Sequence, residues 1–144
     1  VRDDPHPTIY DLYAHTVSVV VQNTGLSTAA VRAFELLLLK EMGWLPDLQT
    51  VTQTQQALQA QVRYHLNAES GLHPARGQDA TALTGEQWQR LSQPDYAGLL
   101  TTLAEDGPLA QILKNQLRTL LHYHGGQSLR TPQMLQALQQ LSTA

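Results

Sequence analysis

His122 and His124 flank Tyr123, and a His-x-His pair joined by a third imidazole such as His15 and a carboxylate is a donor set that metal-dependent hydrolases use. On a helix, positions two apart point roughly 200° away from each other, so these imidazoles reach one ion only if the backbone leaves helical geometry at Gly125-Gly126. The alternative is a histidine near a helix C-terminus, stabilised there by the macrodipole. His65 and His73 make a poor tetrahedral zinc site without further donors of the right spacing, and the chain has no cysteine to supply them. No Ser-His-Asp ordering or glycine-rich phosphate loop is visible, and Gly125-Gly126 lacks the strand-before, helix-after setting of a nucleotide fingerprint. Glu105-Asp106 and Asp3-Asp4 read as a helix end and a terminus. The chain is therefore expected to be no enzyme and to need no metal or cofactor.

Arg32 is the polar residue with the most to explain. It lies in the run from Val31 to Trp44, where Val31, Phe34, Leu38 and Met42 form one helical stripe and Leu36, Leu37 and Leu39 fill its flanks. A helix apolar on more than one face must be surrounded, and an unpaired guanidinium inside it is costly. Two readings stay open. In one, Arg32 forms a structural ion pair with Glu35 at i+3 or with Asp47. In the other, its fork receives a partner's carboxylate beside an apolar hollow built from Leu36, Leu39, Met42 and Leu48. Lys114 and Arg118, at i and i+4, with Arg130 and Arg90 as further candidates, are the cations available for a phosphate backbone. So few add only a modest, salt-dependent affinity.

The elements that must position these residues are mostly helical. A first helix begins after Pro7, with Thr8 as N-cap and Asp11 as its N3 acid, and stops near Asn23-Thr24-Gly25. The central helix takes Ser27-Thr28 as N-cap and Gly43 as C′ glycine, and Pro46 forbids its continuation. Residues 50–61 read as loop or a weak short helix. Val62, Tyr64 and Leu66 alternate with polar residues and Asn67 to Gly71 carries turn chemistry, which predicts a β-hairpin reaching Leu72, anchored by Tyr64 and Leu66. Thr84-Gly85-Glu86-Gln87 has the form of a capping box, Pro94-Asp95 opens another helix, and Gly107-Pro108 opens a longer one that ends at Gly125-Gly126. Thr131-Pro132 starts a last helix through Leu135, Leu138 and Leu141. The expected fold is all-α, a bundle of about six helices with a β-hairpin insertion at residues 50–80, in one domain spanning residues 1–144.

Twelve acids against nine Lys and Arg give a net charge of −3, which argues against a broadly basic nucleic-acid surface. No apolar run approaches the roughly 18 residues of a membrane span and no leader pattern is present, so a soluble intracellular protein is expected.

Two blocks in order carry a resemblance. The first is Arg32-Ala33-Phe34-Glu35-Leu36-Leu37-Leu38-Leu39 followed by Gly43-Trp44-Leu45-Pro46-Asp47-Leu48. The second runs from Lys114 to His122, then Tyr123-His124-Gly125-Gly126-Gln127-Ser128-Leu129-Arg130-Thr131. Together they resemble the C-terminal domain of the bacterial recombination mediator family RecO, from Thr8 to Leu141. The resemblance implies a bacterial, cytoplasmic, nucleoid-associated protein of DNA repair and recombination. Its implied partners are the acidic, Phe-terminated tail of the single-stranded-DNA-binding protein SSB, the protein RecR, and single- and double-stranded DNA. The family's tail-binding arginine matches Arg32. It also implies an N-terminal OB-fold domain, the part most associated with DNA, which this sequence lacks. Many members hold a structural zinc with two Cys-x-x-Cys pairs; here Val51 and Thr54, then Pro74 and Gly77, stand in those places. Gln116, His122 and Gln127 fill positions where relatives often have Lys or Arg, which weakens DNA contact in this block.

Overall fold

A computed structural model describes residues 7–76, 79–93 and 95–128. Its centre is α2 (Ser27–Glu41), whose buried residues run unbroken from Ala29 to Leu36 and on to Leu38 and Leu39. A helix buried on all sides needs neighbours on all sides, and α1 (Pro7–Gln22), α4 (Tyr96–Glu105) and α5 (Gly107–Ser128) pack against it. Phe34, Leu38, Leu99, Leu103, Leu109, Leu113 and Leu117 from these helices join one core.

The start of α2 differs from expectation. A 3₁₀ turn at Thr24–Leu26 feeds directly into the helix, so Ser27 is its first residue and not its cap, and the Ser27 hydroxyl donates back to the Thr24 carbonyl at 2.8 Å. Capping has moved upstream: the Asn23 side chain accepts from the Gly25 N–H at 3.0 Å. The exit matches the sequence. Gly43, with φ of +78°, donates to the Lys40 carbonyl at 3.1 Å while Trp44 donates to Leu39 at 2.9 Å, the paired bonds of a Schellman motif. α1 begins at Pro7, so Thr8 lies inside the helix where a cap was expected; the fixed φ of proline suits a first turn.

Residues 50–61 form a loop with one isolated bridge, Thr50 to Ala57. Thr52 pins it to the sheet, donating its N–H to the Leu72 carbonyl at 3.1 Å and accepting the Leu72 N–H on its hydroxyl at 2.9 Å. Gly71 must be glycine here, because its φ is +73° and an added Cβ would lie 2.2 Å from the Thr52 hydroxyl. The predicted hairpin is present as β1 (Arg63–Asn67) and β2 (Gly71–Pro74), paired antiparallel with Leu66 opposite Leu72. Tyr64 and Leu66 are buried as its anchors. A third strand, β3 (Leu83–Thr84), pairs with Arg63 and Tyr64 on the other edge of β1, giving the order β2-β1-β3. The described residues are therefore mostly helical, in rough agreement with the all-α expectation, and the predicted hairpin gains a third strand to make a small antiparallel sheet.

α3 (Gly85–Arg90) follows through the predicted capping box: Thr84 accepts from Gln87 N at 3.2 Å and the Gln87 side chain accepts from Thr84 N at 2.9 Å. It carries Trp88 into the core, where the indole N–H donates to the Tyr64 carbonyl at 3.0 Å. Asp95 caps α4, accepting from Gly98 N at 2.9 Å. α5 does not stop at Gly125-Gly126 but continues to Ser128, since mid-helix glycine costs only about 1 kcal/mol without an αL residue to terminate the turn. Five α-helices lie among the described residues. The helix expected from Thr131 to Leu141 falls outside them, as do Asp3-Asp4 and Gly77. No helix among them is long and apolar enough to cross a membrane.

Gln116 joins α5 to the sheet. Its side-chain oxygen accepts the Leu66 N–H at 2.7 Å and its amide donates to the Thr81 carbonyl at 2.9 Å. Gln116→Leu keeps the volume but strands both backbone groups, so a stability loss of about 1–3 kcal/mol is expected in denaturant unfolding. A change below about 0.5 kcal/mol would mean that solvent replaces both bonds.

Candidate peptide-binding site

Arg32 and Glu35 sit one turn apart on α2, and both are enclosed, with 0% and 1% exposure. Nη1 of Arg32 donates to Oε1 of Glu35. Asp47, the other expected partner, instead accepts the Gln49 N–H at 3.0 Å. Nε and Nη2 of Arg32 are buried and have no hydrogen-bond acceptor among the described residues. These two nitrogens share the side edge of the guanidinium, where their N–H bonds run parallel and match a carboxylate in two-point contact. Glu35 therefore engages Nη1 and does not reach the fork, which has no acceptor among the described residues.

Burial pushes the Glu35 carboxyl above its ordinary value, opposed by the charges of Arg32, Arg118 and Lys114. Burial likewise lowers Arg32, with Glu35 acting against it. A carboxyl raised on folding contributes stability that is complete below its unfolded pKa and is lost as pH rises through the folded value. The Glu35 contribution should thus fall as pH climbs above 4.5, the ordinary carboxyl value. Comparing the chain with Glu35→Gln by chemical denaturation from pH 4 upward checks this, because only the parent should show the decline; parallel curves would remove it. Asp79 has the opposite sign. Its carboxylate accepts from His65 Nε2 at 2.6 Å and from the Thr81 hydroxyl at 2.7 Å, which hold it well below its ordinary value.

The apolar residues expected to form a hollow beside Arg32 are largely closed over. Leu36, Leu39 and Leu48 are core residues, and Met42 is partly buried against them. Leu48 also lines a cavity of about 220 Å³ with Lys40, Leu45, Leu91 and Ser92. From α5, Lys114 and Arg118 are half-buried and close enough to act electrostatically on Glu35. Their side of the helix thus faces α2. Arg90 lies elsewhere, paired with Asp106 at 3.3 Å, and Arg130 is outside the described residues.

The histidines are distributed over several ring contacts. His15 packs edge-on to Tyr96 with centroids 5.0 Å apart, and His124 stacks on Trp44 at 5.0 Å and 14°. His122 is exposed. Because α5 stays helical through this segment, His122 and His124 keep their divergent directions. Among the described residues no three His, Cys, Asp or Glu side chains are grouped to hold a metal ion. Two features escaped sequence reasoning. Gln116 reads as one more polar residue on an amphipathic helix, and the His65–Asp79 pair joins positions with no local spacing signal.

The sequence profile described as "Recombination protein O C terminal" matches residues 2–133. The "DNA repair protein RecO" of Albidiferax ferrireducens is 45% identical over 145 residues, covering 98% of this chain and 58% of the relative. That of Polaromonas sp. strain JS666 is 45% identical over 144 residues, with coverage of 97% and 58%. That of Polaromonas naphthalenivorans is 46% identical over 144 residues, again with 97% and 58%. The chain thus spans less than three fifths of the length of these relatives. With the profile covering nearly all of the sequence, the chain belongs to the Recombination protein O family and matches its C-terminal part.

Proposed function

We propose that this chain serves DNA repair and recombination as the helical part of a RecO-type mediator. It is a non-catalytic adaptor that binds the C-terminal tail of SSB and works with RecR to support strand annealing and recombinase loading in the bacterial cytoplasm. Family membership and the names of the relatives support the repair role. The observation that carries tail binding is the Arg32 fork, two buried parallel donors without an acceptor among the described residues, on the helix that also carries Leu36 and Leu39, with Leu48 in the same core and Met42 packed against it. A chain-terminal carboxylate following an apolar residue satisfies both features at once. DNA contact through Lys114, Arg118 and Arg130 is weak in this reading, and the N-terminal domain of the whole protein supplies most of it.

Titration with an acidic, Phe-terminated SSB tail peptide tests the reading when the same peptide with a C-terminal carboxamide is run beside it. The amide keeps one acceptor oxygen and loses the other, and one charge-assisted hydrogen bond is worth about 1.5–3 kcal/mol, so the acid should bind about 10- to 150-fold more tightly than the amide. No binding of either peptide, or equal binding of both, would remove the tail reading and leave the fold.

A further inference from the structure

Glu35 is more than a counter-ion in this arrangement. A buried arginine with one carboxylate partner gains most from two-point contact through Nε and Nη2, yet Glu35 binds the single nitrogen at the other side, Nη1. Both residues stand on α2, three positions apart, so their separation is set by one rigid helix and not by the docking of two elements. Lys114 and Arg118 on α5 act on Glu35 as well, so its negative charge is offset where an anion approaches. We infer that Glu35 is the positioning residue of the site: by holding Nη1 it fixes the plane of the guanidinium so that the Nε and Nη2 edge meets a planar carboxylate. This rests on the tail-binding reading above, and adds to it the residue that orients the fork.

The test separates geometry from charge. Glu35→Gln keeps an acceptor oxygen at the same reach and removes the charge, whereas Glu35→Asp keeps the charge and withdraws it by one methylene. Acid and amide tail peptides are titrated against the full chain and both variants, with thermal midpoints recorded alongside. Glu35→Gln should bind the acid peptide within about threefold of the parent and retain the preference over the amide. Glu35→Asp should bind it at least about tenfold more weakly and lose that preference. Unchanged binding by Glu35→Asp overturns the positioning role, and an equal loss in both variants overturns it in favour of charge. If the parent does not distinguish acid from amide, the tail reading falls and the inference with it. If the parent does and Glu35→Asp behaves like the parent, only the inference falls. Should Glu35→Asp melt below the assay temperature, the Arg32 Nε–H resonance in Glu35→Gln decides. It should shift with the acid peptide alone, as in the parent, and an unmoved signal overturns the role.

Discussion

Arg32→Ala is expected to reduce folding stability by about 3–5 kcal/mol, because it leaves the Glu35 carboxylate, 1% exposed, without its counter-ion in the core. A surface arginine on the same helix would cost a fraction of that. The double replacement Arg32→Met with Glu35→Leu removes both charges and fills the space with apolar atoms, so it should recover most of the loss. It has no fork, so it should be stable and still fail to bind the tail peptide. That combination isolates recognition from folding in one protein, read by denaturant unfolding and peptide titration. A cost below about 1 kcal/mol for Arg32→Ala would place the guanidinium nearer solvent than the structure does, and tail binding by the double variant would assign the carboxylate to other residues.

Trp88→Ala should cost a similar amount, about 3–5 kcal/mol, by a different route. The side chain is 0% exposed, so its removal opens a cavity at the meeting point of α3, the sheet and the core. The Tyr64 carbonyl also loses its donor. Trp88→Phe retains much of the volume and loses the N–H, so a smaller penalty of about 1–2 kcal/mol is expected. Hydrogen exchange adds a spatial check: amides of β1 should lose protection in Trp88→Ala more than those of α2. A uniform loss of protection would show that Trp88 supports the whole core and not the sheet in particular.

The parts of this fold readable from sequence are those fixed by local chemistry. The Schellman exit at Gly43 needs only a glycine at the end of an apolar run, and the capping box at Thr84 needs two residues three apart. The hairpin showed itself by alternation at Tyr64 and Leu66. β3 did not, because two residues carry no period and its existence depends on Arg63 and Tyr64 about twenty positions away. Ser27 departs from its pattern for a related reason: a serine before an apolar run fits a cap, but a preceding 3₁₀ turn moves that role to Asn23. At the site, spacing on one helix offers Glu35 as a partner for Arg32 but leaves Asp47 beside it as a second candidate. Which nitrogen Glu35 takes is a matter of side-chain geometry, and no pattern of residue types encodes it.

The complete enclosure of Arg32 has a consequence for affinity. A ligand can reach the fork only in molecules whose surrounding side chains have moved aside, so the measured dissociation constant is the intrinsic one divided by the fraction of molecules in that open form. An open population of about 1% would weaken binding about a hundredfold with every contact intact. If Arg32 takes the tail carboxylate as proposed, tight packing and tight recognition oppose each other in this domain. Substitutions that loosen the helices around α2 without touching Arg32 would strengthen capture of a carboxylate while lowering the melting temperature, and a partner that pries these helices apart would act as an activator without contacting the peptide.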